Sequence, residues 1–393
     1  MSVFDDLVGQ EVVVAQLQAA AGAAARFLAG EPEGAGGMTH AWLFTGPPGS
    51  GRSIAARAFA AALQCERGTG CGHCQACAQS LTGAHPDVAV IVPEGLHLRI
   101  DDAREIITRS SRAPTRGRWQ ITLIEDADRM EERTSNTLLK AIEEPPPHGV
   151  LLLCAPSVED LLPTIRSRCR LVPLRTPPAD AVSGVLVRRD GVDPAMAAFA
   201  ARAAQGHIGR AKRLATDEDA RRERREVLSL PRSLQGVGAA LVAAKSLVEA
   251  AQEESGRLTK DRDAVEKELL STALGAGATG KGVTGAARRS AGAVKELEKR
   301  QKSRGTRTQR DALDRALVDL AAFYRDVLQV QLGTGAELVH GDLAEQSGTI
   351  ARATTPESTL RRVDAVLACR EALDANVNPL LAVEAMALAL RTG

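Results

Sequence analysis

The sequence predicts an α/β domain built on a parallel sheet with helices on both faces, followed by a small helical region and a larger all-helical one. Three observations carry this expectation. Short apolar runs at Ala41-Trp42-Leu43-Phe44, Val88 to Val92, Ile121 to Ile124 and Val150 to Cys154 alternate with segments of helical character, the pattern of a parallel sheet covered on both sides. After Leu174 such runs stop and helical sequence takes over. Near the C-terminus Leu313, Leu317, Leu320, Tyr324 and Val327 recur at spacings of three and four, which marks one buried helix face.

Taken in order, the Ala-rich amphipathic stretch from Glu11 to Leu28 reads as a helix, and a Gly/Pro-rich loop from Gly30 to Gly37 leads into the first strand. Between Asp126 and Val150, Thr134 or Ser135 can cap a helix carrying Leu138, Leu139 and Ile142, and Pro145-Pro146-Pro147 stops it. Pro177-Pro178 punctuates the chain, and helical sequence then runs to about Ala215. The expected domains are therefore 1–175, 176–216 and 217–393. The last is interrupted near 274–308 by Gly/Ala-rich and then basic sequence, read as a flexible insertion. From Lys281 to Arg310 there are ten Lys or Arg and two Glu, a net of +8 that leaves about −7 for the rest of the chain. Such a stretch is a solvated loop or a contact to DNA phosphates through counterion release.

Bulk properties narrow the function classes. A chain of 393 residues suits two or three domains, and 44% hydrophobic with 25% charged residues is ordinary globular composition. A net charge of +1 excludes the chain as a whole from acting as a polyanion binder. Six Phe, two Trp and one Tyr are too few for binding single strands by base stacking. No apolar run approaches the roughly 18 residues of a membrane span. The acidic start Met1-Ser2-Val3-Phe4-Asp5-Asp6 is unlike a secretory signal, so a cytoplasmic protein without membrane contact is expected. Its seven cysteines are then expected as thiols or metal ligands.

The first strand runs into Gly46-Pro47-Pro48-Gly49-Ser50-Gly51-Arg52-Ser53, a phosphate-binding loop in which Arg52 stands where lysine is usual. Gly46, Gly49 and Gly51 would let backbone N–H groups approach phosphate, and the Ser53 hydroxyl would hold Mg²⁺. Arginine at a tightly packed lysine position is not a conservative change. The acidic pair expected after a later strand is Glu125-Asp126, in reversed order and of the wrong lengths for Mg²⁺ and water; a solvated acidic turn is the alternative. Cys65, Cys71, Cys74 and Cys77 form C-x(5)-C-x(2)-C-x(2)-C, whose four thiolates can close a structural Zn²⁺ site. His73 could substitute for one ligand, and a redox pair or disulfide is the alternative. Cys154 and Cys369 read as core residues.

Together with Val8-Gly9-Gln10, Asn136-x-Leu138-Leu139-Lys140-x-x-Glu143-Glu144-Pro145-Pro146 and Ser167-Arg168-Cys169, these motifs occur in order within residues 4–175. The chain resembles bacterial clamp-loader subunits of the AAA+ class. That resemblance implies a RecA-like AAA+ nucleotide-binding domain with a zinc module at 65–77, a helical lid and a helical collar. It implies tau/gamma and delta subunits as partners in a hetero-pentameric ring that loads a sliding clamp onto primed DNA. Arg168 would be an arginine finger acting in trans, and Val8, Gly9 and Arg210, the last within Gly206-His207-Ile208-Gly209-Arg210-Ala211, would border the nucleotide. The departures at Arg52, Glu125-Asp126 and Cys154-Ala155-Pro156 imply that ATP or ADP with Mg²⁺ is held poorly and not turned over. An active motor ATPase of the same ring is the competing expectation.

Overall fold

The computed structural model describes residues 2–31, 37–98, 106–110, 112–274 and 283–393, the side chains of 283–291 excepted. Most of the expected Gly/Pro-rich loop, 32–36, lies outside the described residues, as do Lys281 and the side chains of Arg288 and Arg289 from the basic stretch. Two compact units divide the chain: Met1–Pro93 with His97–Thr216, and Glu94–Leu96 with Asp217–Gly393.

In the first unit, strands β1 (Ala41–Thr45), β2 (Val88–Ile91), β3 (Gln120–Ile124), β4 (Gly149–Ala155) and β5 (Arg170–Pro173) form one parallel sheet in the order β2-β3-β4-β1-β5. Every residue of β1, β3 and β4 is buried, which is why these strands read as unbroken apolar runs. Alternation still sorts their side chains. Trp42 and Phe44 enter the cluster formed with helix α1 (Glu11–Leu28) and helix α2 (Arg52–Gln64), while Ala41 and Leu43 enter the opposite cluster with Leu138 and Ile142. Trp42 meets Phe59 edge-on at 4.8 Å. A short helix, α3 (Gln75–Thr82), packs on α2, and α4 (Glu132–Glu143) covers the other face.

The sequence reading placed the start of α4 at Thr134 or Ser135. The helix begins earlier, and both residues are buried in its first turn, where the Thr134 hydroxyl donates to the Leu98 carbonyl at 3.3 Å. Strand β5 carried no sequence signal because it is a short edge strand in which only Val172 is fully buried. A one-turn helix, α5 (Pro163–Arg166), precedes it, and α6 (Ala179–Asp190), α7 (Pro194–Ala203) and α8 (Ile208–Thr216) complete the unit.

Asp87 pins the loop before β3. Its buried carboxylate accepts from the Thr115 hydroxyl and from the backbone N–H groups of Thr115, Arg116 and Gly117. Burial alone would raise its pKa, but these donors hold it down at about 2.

The second unit consists of α9 (Glu218–Ser233), α10 (Val237–Ala273), α11 (Val283–Leu332), α12 (Ala344–Ala353), α13 (Pro356–Asp374) and α14 (Pro379–Thr392). The expected face of Leu313, Leu317, Leu320, Tyr324 and Val327 is buried against Val366, Val383 and Met386. Of the stretch read as a flexible insertion near 274–308, 275–282 lies outside the described residues, and from Val283 onward the chain is helical in α11, which pairs with α10. Its basic residues are partly consumed in that pairing. Arg304 reaches Asp263 at 2.8 Å and Glu266 at 2.9 Å, Gln301 donates to the Asp263 carbonyl at 3.0 Å, and the Ser255 hydroxyl to the Gly305 carbonyl at 2.8 Å. Single glycines such as Gly292 and Gly305 cost about 1 kcal/mol each in a helix, and these cross-helix bonds offset that.

A buried polar cluster fixes the return of the chain after α11. Arg224 makes a two-pronged pair with Asp342 at 2.9 and 3.1 Å and donates to His340 Nδ1 at 2.8 Å, while Asp326 accepts from the backbone N–H groups of Val339 and His340. His340 is fully buried, and burial, then the Arg224 charge, lowers its pKa. The Asp319, Asp326 and Asp342 carboxylates oppose that shift without reversing it.

Two outcomes follow. Asp87→Ala leaves three backbone donors without their acceptor and lowers the stability of the α/β unit by about 3 kcal/mol or more in urea unfolding followed by tryptophan fluorescence. Because His340 binds its proton more weakly folded than unfolded, the helical unit loses stability as pH falls below about 6.5, and His340→Gln flattens that slope in denaturation at pH 7.5 and 5.5.

Candidate functional site

The C-terminal end of β1 opens into the glycine loop, and α2 starts at Arg52, so the loop caps a helix N-terminus as a phosphate cradle does. Space as well as φ requires glycine at two positions. A Cβ on Gly46 (φ 149) would lie 2.5 Å from the Leu174 carbonyl oxygen, and one on Gly49 (φ 88) 2.5 Å from His207 Cβ. Gly51 is likewise left-handed, and Ser53 sits in the first turn of α2.

Two of the other segments expected to border a nucleotide reach the loop, the Gln10 amide donating to the Ser50 carbonyl at 3.4 Å and His207 lying against Gly49. Gly9, beside Val8, packs on Pro178, and the Gln10 amide grips Arg175 through both its backbone groups, donating at 2.5 Å and accepting at 3.2 Å. His207 abuts Gly49, and one turn on, the Arg210 backbone N–H donates to His207 Nδ1 at 3.2 Å.

The chemistry of the loop is nevertheless engaged within the chain. Arg52 turns back and donates to the Gly46 carbonyl at 2.8 Å. Glu125, at the end of β3, receives Arg57 Nε at 3.0 Å and Nη2 at 2.8 Å on one oxygen. Asp126 is in the left-handed region (φ 49), with Arg129 at 3.8 Å. Next to it Asp128 has its pKa raised by burial and by the Asp126 charge. Ser50 Oγ is buried with no hydrogen-bond partner among the described residues. Cys154 is buried in β4, and Ser157 is half-buried and bonded to the nearby acids Asp160 and Glu159. Sequence reasoning missed Arg57 and Asp128; the signal for Arg57 was a lone charge inside the Ala-rich α2.

Cys65, Cys71, Cys74 and Cys77 come together with their sulfurs all within 4.8 Å of one another. Four thiolates around Zn²⁺ at about 2.3 Å stand about 3.8 Å apart, so the cluster can hold a metal ion with small adjustment. Backbone N–H groups point at the sulfurs, Cys71 to Cys65 and Cys77 to Cys74, each at 3.4 Å. His73 instead bonds to the Cys71 carbonyl at 2.7 Å and is outside the cluster. All the cysteines are free thiols.

Arg168 lies elsewhere. Trp42 pairs with Arg170, so Arg168 stands before the start of β5, while Gly46 stands four residues beyond Trp42. At about 3.3 Å per strand residue the step from Trp42 to Gly46 alone spans about 13 Å, and Arg168 lies in the turn beyond the other end. The guanidinium is half-exposed, bound to Glu143 at 2.8 Å, to the Thr164 carbonyl at 3.0 Å and to Ser167 Oγ at 3.2 Å.

Comparison with known proteins points to one group of replication proteins. The family described as DNA polymerase III, delta subunit, matches residues 31–178, and the one described as DNA polymerase III, delta subunit, C terminal, matches 308–392. The DNA polymerase III subunit delta' of Bacillus subtilis is 26% identical over 91% of this chain and 92% of its own length. That of Pseudomonas aeruginosa is 38% identical over 33% of this chain and 41% of its own. The gamma/tau subunit of Mycobacterium bovis is 33% identical over 47% of this chain, which spans 31% of that relative's length. The resemblance read from the motifs therefore holds at both ends of the chain.

Titration with Co²⁺ in place of zinc is expected to give thiolate charge-transfer absorption saturating near one equivalent, and Cys74→Ser to abolish it. Saturation unchanged in that variant would remove the cluster as a metal site.

Proposed function

Starting from a chain similar at both ends to the delta prime subunits of DNA polymerase III, we propose that it is the stator of a bacterial clamp loader. In this reading it joins tau/gamma and delta subunits in a hetero-pentameric ring, in the cytoplasm, and serves ATP-driven placement of a sliding clamp on primed DNA. Its parts are a RecA-like AAA+ domain (1–175), a lid (176–216) and a collar (217–393), with a structural Zn²⁺ on Cys65, Cys71, Cys74 and Cys77. Among the described residues no helix is long and apolar enough to cross a membrane, in keeping with this role.

The observation that carries the proposal is that Arg168 and the chain's own phosphate loop stand at opposite ends of the sheet, Arg168 before β5 and Gly46 after β1. In this reading an arginine so far from its own loop serves a neighbour's nucleotide, where its positive charge would stabilise the transferring phosphoryl group. The chain's own loop supports the same division of labour, since Arg52 and Arg57 occupy the Gly46 carbonyl and Glu125. Similarity to gamma/tau relatives favours the competing reading, a motor ATPase.

In a loader reconstituted with its partner subunits, Arg168→Ala is expected to lower clamp- and DNA-stimulated ATP turnover by about 10³-fold with assembly intact. The chain alone is expected to show no turnover. Turnover by the chain alone that Ser53→Ala abolishes would establish the motor reading instead.

A further inference from the structure

The phosphate loop and the four-cysteine cluster sit at opposite ends of α2, which begins at Arg52 and ends one residue before Cys65. At about 1.5 Å per residue its 13 residues span roughly 20 Å. A second connection runs outside the helix, through residues 2–10.

One end of this segment is fastened to the cysteine loop. The Gly70 carbonyl, just before Cys71, accepts from the Val3 N–H at 2.9 Å and from the Ser2 hydroxyl at 3.4 Å. Gly70 is left-handed (φ 67), and a Cβ there would stand 2.7 Å from Val3 Cγ2 and 3.4 Å from Phe4 Cε2, so glycine is what lets the loop close on these side chains. Val3, Phe4 and Leu7 are buried in the same cluster as Cys65 and Cys77. At its other end the segment holds the phosphate loop and the chain after β5. Leu7 approaches Gly51, and the buried Gln10 donates to the Ser50 carbonyl and grips Arg175 through both its backbone groups. Between them Asp6 pairs with Arg189 of α6 at 3.2 Å.

The loop that carries Gly70 is costly to order. Its backbone is left-handed at Gly68, Gly70 and Gly72, and glycine loses more conformational freedom on folding than any other residue. Gathering Cys65, Cys71, Cys74 and Cys77 on one ion removes that freedom and supplies the free energy for it.

We propose that residues 2–10 form a metal-dependent strap on the phosphate loop. An ion on the four cysteines fixes Gly70, Gly70 fixes Val3 and Phe4, and the segment so anchored keeps Gln10 on Ser50 and Arg175. Loss of the ion frees the strap, and the phosphate loop and the chain at Arg175 loosen although they lie the length of α2 away. The proposal rests on the reading of the cysteines as a metal site and is independent of whether nucleotide is turned over.

The test is amide hydrogen exchange of the full-length chain, Zn²⁺-loaded and after chelation under reducing conditions, resolved to single residues by mass spectrometry. Chelation is expected to speed exchange at Val3 and at Arg175, whose N–H donates to Gln10, at least tenfold, with the β4 amides of Leu151 to Leu153 unchanged. Val3→Pro removes the donor to Gly70; with Co²⁺ saturation intact it is expected to speed Arg175 to the same degree, and it decides the matter if chelation also melts β4. Exchange at Val3 and Arg175 that ignores chelation overturns the strap. So does an Arg175 amide that responds to chelation but not to Val3→Pro, which would route the coupling through α2. Failure of Co²⁺ to bind wild type removes the metal reading itself and is distinct from both.

Discussion

The backbone pairing of β1 between β4 and β5 is the constraint on which the rest of the α/β unit depends. Its strands are buried, so their N–H and C=O groups must be satisfied within the ladder. A slip of one residue would exchange Trp42 and Phe44 for Leu43 between the two faces. Register is therefore fixed by the core, and both ends of β1 inherit that precision. The glycine loop hangs from its C-terminal end, with the Gly46 N–H bonded to the Pro156 carbonyl after β4 at 3.1 Å. The Arg168 turn meets the sheet at the opposite end through β5.

Arginine shapes both ends and gives them different characters. In the loop, the planar fork at position 52 reaches a carbonyl of its own backbone, a geometry for which a compact ammonium is less suited. Arg57 similarly ties Glu125 to α2. The cradle keeps its shape while Arg52 and Glu125 are bonded within the chain. At the other end Arg168 rests on Glu143 in a solvated pair, and such pairs are worth about 0–1 kcal/mol. A guanidinium held that weakly exchanges partners at little cost.

Much of this was legible in the sequence, for identifiable reasons. Three of five strands announced themselves because every residue in them is buried, and the edge strand β2 through its run of apolar residues, whereas β5, an edge strand with Leu171 40% exposed, lacks that signature. The cysteines were readable because metal ligation imposes close spacing, and the glycines because phosphate loops require left-handed backbone. What stayed hidden depends on contacts between residues far apart in the chain. Nothing near Arg57 in sequence points to Glu125, nor near Arg224 to Asp342 and His340. The pairing within the basic stretch was hidden for the same reason: a charge count along the chain does not show that Arg304 meets acids on the preceding helix.

The distribution of aromatic residues has a practical consequence. Both tryptophans, Trp42 and Trp119, are buried in the α/β unit, and the only tyrosine, Tyr324, is buried in the core of the helical unit. Excitation selective for indole therefore follows the first unit alone, while the phenol reports on the second. The chain thus carries one intrinsic optical label on each of its two bodies, and whether they melt together or in turn can be read without attaching a dye.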